Sequence, residues 1–196
     1  FCTPLRDIYS TIPKLHSRLL CFFFFLMYTS FAQFHSGDTH MKNFHKKDLI
    51  KAYKMIKGDR TKIIATKSKD FDFYNLTPID WCMPMDYDPV TRVIFSCDPK
   101  HQCDSNIRHH KEFALCIPQT PQERTINSCG SVSDPNADKF KMFNILGTKA
   151  SKIDVLLPME NIESWIECKL LRIIRVGSVD LIIGEAVAAY EQSDIA

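Results

Sequence analysis

Glycine is scarce in this chain, six residues in 196, which excludes fibrous and linker-dominated architectures. Charge of one sign is also missing. Lysine and arginine total 25 against 23 acidic residues, a formal net charge of +2. No concentrated basic face of the kind general nucleic-acid binding needs is present, so nucleic acid is not an expected partner. The apolar run Leu19–Tyr28 holds about ten residues where a spanning helix needs about twenty, and no membrane partner is expected. Internal repeats and a strand–helix–strand rhythm are absent as well, which argues against a doubly wound parallel sheet. In the run Tyr74 to Pro84 no nucleophile stands beside a base, so no catalytic side chain is assigned and the chemistry is expected to come from a bound cofactor.

What the chain does have is apolar material, 45% of its residues, and eight cysteines. The cysteines are scattered, and several lie inside apolar stretches such as Leu115-Cys116-Ile117. They read as small buried hydrophobes in a reducing, cytoplasmic compartment rather than as a disulfide framework. Cys97, His101, Cys103, His109 and His110 miss the usual Cys-x2–4-Cys and His-x3–5-His spacings, so no metal site is expected.

Residues 1–40 stand apart. Lys14, His16 and Arg18 precede the Leu19–Tyr28 run, and Ser30-Phe31-Ala32 follows it like a cleavage site, the form of a secretory signal. The preferred reading is an upstream segment outside the working protein, with a cytosolic start at Met41. An exported protein is the alternative. The working domain is then 41–196.

Within it, apolar positions Phe44, Leu49, Ile50, Tyr53, Met55 and Ile56 predict an amphipathic helix over 43–57, closed by Gly58. Short β-type runs follow at 62–66, 71–76, 92–96 and 113–117, with helical patches near 102–111 and 136–144. Residues 165–176 alternate well for a strand with one buried face, and 180–190 return after a Gly177-Ser178 turn. The expected fold is mainly β with a few helices, a Greek-key-like antiparallel barrel, closed or nearly so.

The most informative run is Tyr74 to Pro84. A polar, turn-forming stretch leads into a buried-looking Trp81-Cys82-Met83 and stops at a proline. Its backbone groups and aromatic surface suit a flat, polar-edged ring. Ser96, Lys100, His101 and Gln102 precede the helix predicted from 102, and a helix N-terminus favours an anion. Taken singly, Lys100 and Lys139 would be solvated surface charges, and Trp81 a core aromatic.

With these elements in order, the chain resembles the flavin reductase-like family, the FMN-binding split β-barrel proteins that include flavoredoxins. Asn75 to Pro84 is similar to the family's strand and loop along the isoalloxazine edge. Tyr87-Asp88-Pro89 with Val93 to Ser96 matches its "D-P-P-x-V-x-x-x-S" passage. Ser96 to Asn106 and Glu112-Phe113 are similar to its phosphate-side loop, helix and following strand. Cys129-Gly130-Ser131-Val132-Ser133 with Asp138-Lys139-Phe140 resembles "C-G-x-x-S-G-x-x-x-D-K-F". Departures are Cys103 for a threonine, Lys111 for a glycine, Cys116 for an asparagine, and a hairpin turn without the frequent histidine.

The resemblance implies an FMN site formed by Asn75, Leu76, Thr77, Pro78, Ile79, Asp80, Trp81, Cys82, Ser96, Lys100, His101, Gln102, Cys103 and Lys139. It implies NADH or NADPH as co-substrate, a homodimer with the flavin near the subunit interface, and electron transfer in the manner of a flavin reductase. A flavoredoxin-like carrier with a protein electron acceptor, and a flavin-binding module without turnover, are the alternatives.

Overall fold

A computed structural model describes residues 43–193 apart from 57, 59 and 120–122, with the backbone alone at Glu123. The expected leader, 1–40, lies outside the described residues. Among the described residues, ten strands and three α-helices follow one another. The strands are β1 (Phe44–Lys46), β2 (Lys62–Lys67), β3 (Tyr74–Ile79), β4 (Cys82–Asp86), β5 (Arg92–Cys97), β6 (Glu112–Pro118), β7 (Gly147–Lys149), β8 (Leu156–Pro158), β9 (Ile162–Val176) and β10 (Val179–Gln192). The helices are α1 (Gln102–His110), α2 (Glu123–Gly130) and α3 (Lys139–Met142).

The main sheet runs β3-β2-β6-β9-β10-β5-β4, with β1 on the far end of β10 and a separate β7–β8 pair. Every pairing is antiparallel. Ile64 of β2 and Cys82 of β4 come from opposite ends of this order, yet they join Phe95, Phe113, Ile166 and Ile182 in one buried cluster. The sheet is therefore rolled around that cluster, and β3 and β4 remain as edges that do not pair with each other. This is the expected antiparallel barrel, split between two edge strands.

Strand alternation assigns two faces. In β6, Phe113, Leu115 and Ile117 point into the barrel, while Ala114 and Cys116 point outward. The outward residues join Ile63, Leu76, Cys129, Phe140, Leu157 and Trp165 in a second cluster, beneath α2, α3 and the β7–β8 segment. Burial on both faces explains why β6 reads as a continuous apolar run. Gly184 of β10 marks the tightest interior contact. A Cβ there would fall 2.3 Å from Phe113 Cζ and 3.2 Å from Cys168 Cβ. Gly184→Ala is expected to cost about 1–3 kcal/mol, because both neighbours are fully packed. A lower urea midpoint at unchanged m would register it.

The residues predicted as a helix over 43–57 behave otherwise. Phe44–Lys46 pair with Tyr190–Gln192 of β10, and only Ala52–Met55 coil, as a 3-10 turn. The second predicted strand starts at Tyr74, not 71, and runs to Ile79. The helix expected near 136–144 shortens to α3, capped by Asp138, whose carboxylate accepts from the Lys141 N–H at 3.2 Å. Lys111, which stands where the family carries glycine, has φ 61°, the left-handed position that closes α1. Glycine suits that backbone better than lysine does. Cys82, Cys97, Cys103, Cys116, Cys129 and Cys168 are free and buried.

Candidate flavin cavity

The edge strand β3, the start of α1 and the segment from α2 to α3 meet around a cavity of about 110 Å³. Each wall is fixed by hydrogen bonds. Asn106 of α1 donates to Thr66 Oγ1 at 3.1 Å and accepts from the Lys69 N–H at 3.0 Å, which ties the helix to β2. Gln102 donates to the Pro135 carbonyl at 2.9 Å and so links the helix start to the loop before α3. On the far side of α1, Arg108 joins Asp104 and Asp180 at 2.5 Å each. Arg175 holds the other oxygen of Asp180, also at 2.5 Å, so the β9–β10 hairpin braces the helix.

Two features of the cavity call for a ligand. Asn75 is buried, donates its amide to Thr77 Oγ1 at 3.2 Å, and leaves Oδ1 without a partner. A buried acceptor left open costs about 1–3 kcal/mol unless something satisfies it. Hydroxyls and ring N–H groups of a flavin nucleotide are donors of the required kind. The second feature is positive. Lys100, His101 and Gln102 line the cavity at the start of α1, and no side chain caps that helix. The Asp104 N–H donates to the His101 carbonyl at 3.1 Å, and the N–H groups ahead of it keep their capacity for an anion such as a phosphate.

Lys139 contributes in another way. It is 5% exposed and donates to the carbonyls of Leu76 at 2.8 Å and Cys129 at 2.7 Å. One ammonium thus joins the two walls and leaves its positive charge at the cavity. Burial lowers its pKa below the ordinary 10.5, with Cys129 and Cys103 opposing that shift. Burial pushes the Cys129 thiol up to about 11. Contact with Cys97, then burial, holds Cys103 well above the usual thiol range, so neither thiol is a nucleophile here.

The sequence-predicted residues separate into three groups. Asn75, Thr77, Pro78, Lys100, His101, Gln102 and Lys139 line the cavity together. Asp80, Trp81, Cys82 and Ser96 line a second, shallow trough of about 410 Å³. Leu76, Ile79 and Cys103 sit in the core, where Leu76 meets the site through its carbonyl. Trp81 is not buried as its neighbourhood suggested; it is 74% exposed. Cys129, Gly130, Val132, Ser133 and Asp134 complete the cavity. The Cys129-to-Ser133 signature was the signal for the first four of these.

Comparison with known proteins agrees with this architecture. The protein YddH of Escherichia coli (strain K12) is 26% identical over 150 residues, 76% of this chain and 79% of that protein. An FMN-binding domain of a flavin reductases-like enzyme from Shewanella baltica superposes with a TM-score of 0.66 at 20% identity, covering 77% of this chain and 78% of that one. Flavoredoxin of Desulfovibrio vulgaris (Miyazaki F) gives 0.61 at 20% identity over 68% and 69%. The flavin reductase-like domain matches residues 61–196, and the chain belongs to that family.

Proposed function

We propose that the protein is an FMN-binding oxidoreductase of the NAD(P)H-dependent flavin reductase type. The observation that carries this reading is the unpartnered Asn75 Oδ1, buried in a cavity that also holds Lys139 and the uncapped start of α1. Bound FMN would accept hydride from the nicotinamide and pass electrons to free flavin or another acceptor. Asn75 and Thr77 would receive the donors of the nucleotide. Lys100, His101, Gln102 and the α1 N–H groups would hold its phosphate. Pro78, 3.7 Å from where a Gly130 Cβ would lie, packs the wall. No side chain is required to move a proton.

A cavity of about 110 Å³ is smaller than the roughly 300–1,000 Å³ typical of ligand sites, so it would hold only part of the flavin, and a homodimer would cover the rest. Six free, buried thiols support a cytoplasmic setting. Among the described residues no helix is long and apolar enough to cross a membrane.

The second reading is an electron carrier serving a protein partner. The hairpin turn Gly177-Ser178 offers no titratable group to a diffusible substrate, which favours it. The test is an absorbance spectrum of purified protein before and after anaerobic NADH or NADPH. Flavin absorbance that bleaches rapidly on mixing is expected for the reductase. Tight FMN with slow bleaching would point to the carrier, and a colourless protein that gains no thermal stability from FMN would sink both.

A further inference from the structure

Cys97 and Cys103 lie outside the cavity lining, yet the fold brings the two together. Cys97 ends β5, whose alternation turns Val93, Phe95 and Cys97 into the barrel. Cys103 stands in the first turn of α1 and shares its inward face with Ile107, four residues on. The chain between them doubles back through two consecutive turns. The His101 N–H donates to the Asp98 carbonyl at 2.9 Å, and the Asp104 N–H donates to the His101 carbonyl at 3.1 Å. Both sulfurs therefore enter the same end of the barrel. Cys103 faces Cys97 on one side and Thr77 on the other.

This pair differs from the other buried thiols. Burial is the first cause of a raised pKa at Cys82, Cys116, Cys129 and Cys168, whereas at Cys103 the Cys97 thiol comes before burial. The segment that the pair brackets is the one that would hold a phosphate. Lys100, His101 and Gln102 line the cavity, and all three lie between the two cysteines. Thr77, beyond Cys103, lines it too and accepts from the Asn75 amide at 3.2 Å. Asp98 and Lys100 are exposed, so small solutes reach the turn directly above Cys97. Cys97 Sγ itself lies 3.5 Å from the Asp98 carbonyl.

We propose that Cys97 and Cys103 form a reversible disulfide, and that this bond switches the loop between them from a binding form to a weakened one. The effect on FMN rests on the flavin reading; the bond itself does not. Hydrogen peroxide is the oxidant, small enough to enter at the exposed turn. The Cys97 sulfur attacks one peroxide oxygen and the O–O bond breaks. Hydroxide leaves with the Cys97 proton as water, and a sulfenic acid remains at Cys97. The Cys103 sulfur then bonds to that sulfur as the S–O bond breaks, and the departing hydroxyl takes the Cys103 proton as a second water. Two thiols thus lose two electrons and two protons, and one peroxide becomes two waters. A neutral thiol such as Cys103 is a poor nucleophile toward a diffusing substrate, but proximity compensates when its partner is already beside it.

A disulfide draws its sulfurs to about 2.05 Å, closer than any non-bonded contact. The first turn of α1 is then pulled toward β5 and away from Thr77 of β3. A shift on the order of 1 Å in the residues around a ligand is enough to loosen a site.

Peptide mass tests the bond. The full chain is treated with a slight molar excess of hydrogen peroxide, its remaining thiols are alkylated under denaturing conditions, and it is digested with trypsin. Cleavage after Arg92, Lys100 and Arg108 puts the two cysteines on separate peptides, 93–100 and 101–108. The expected product is these two joined, two hydrogens lighter than their sum, and separable by dithiothreitol. Both peptides alkylated, or a sulfinic acid at Cys97 without the link, would overturn the proposal. So would a preferred link between any other described cysteines.

FMN titration reads the switch. The oxidised wild type is expected to bind about tenfold more weakly than the reduced protein, with recovery after treatment with dithiothreitol. Cys97→Ser cannot form the bond and is expected to bind equally before and after peroxide. Equal affinities of the two wild-type forms would overturn the switch, as would an equal loss in Cys97→Ser. A disulfide that forms in a protein binding FMN in neither state would sink the flavin reading and leave the bond standing.

Discussion

Lys139→Met is expected to weaken FMN binding by about a hundredfold, or about 2.7 kcal/mol. The methionine keeps the length and apolar stem of the side chain but removes its charge and all three donors. The carbonyls of Leu76 and Cys129 lose the ammonium that joins them, and hydrogen bonds to a charged group are worth about 1.5–3 kcal/mol each. The two cavity walls are then free to part, and a phosphate loses a buried cation. Fluorescence titration of FMN against both proteins measures the change, and equal affinities would show that the lysine is only structural. The pH dependence carries an independent sign. Burial lowers the pKa of Lys139 below 10.5, so on raising the pH the folded protein releases this proton before the unfolded chain does. Between the lowered pKa and 10.5 the unfolded state binds more protons, and this residue's contribution to stability therefore rises with pH. FMN affinity moves the opposite way, falling as the ammonium is neutralised. The methionine variant is expected to lose both trends.

Glu167→Ala is expected to cost about 3–5 kcal/mol of stability, because each of its three donors left without an acceptor costs about 1–3 kcal/mol. The carboxylate is fully buried in β9, where it accepts from the N–H groups of Ser151 at 2.9 Å and Lys152 at 2.6 Å and from Trp165 Nε1 at 3.3 Å. It holds the turn between β7 and β8 against the sheet. Its removal leaves three donors without their acceptor, of which the Trp165 N–H is fully buried. A domain of this size loses roughly 2–4 °C of Tm for each kcal/mol, so a fall of roughly 6–20 °C is expected in a thermal melt. Glu167→Gln should fall between the two, because one oxygen remains as an acceptor. A melt within a degree of wild type would show that the loop holds by its apolar contacts alone.

The parts of this molecule legible in its sequence are those where local pattern and long-range packing agree. The alternation of β9 and β10 and the Gly177-Ser178 turn predicted a hairpin, and the hairpin forms the centre of the sheet. The helix predicted over 43–57 failed for the opposite reason. Leu49, Tyr53 and Ile56 have helical spacing, but Phe44–Lys46 are claimed by Tyr190–Gln192, about as far along the domain as a partner can be. Strand β4 escaped notice because Pro84 breaks a β-type run, and a proline is tolerated there only because β4 is an edge.

Side-chain environments were harder to read than backbone. Trp81 has the composition of a core residue and the exposure of a surface one, since no local signal says which side of a strand will be left uncovered. Lys139 shows the reverse error: a lysine in isolation reads as solvated, yet it is enclosed by carbonyls from β3 and α2. The motif containing it was a better guide than its own chemistry.

The position of β10 also governs the order in which the chain can fold. Residues Val179–Gln192 bond to β9, β5 and β1, three strands from separate parts of the sequence. During synthesis β1 and β5 have no central partner until almost the whole domain has emerged, so the sheet cannot close in the order in which it is made. Pairings this distant are slow to form, and strand edges stay open while they wait. The final fourteen-residue strand is the one that turns a set of waiting edges into a barrel.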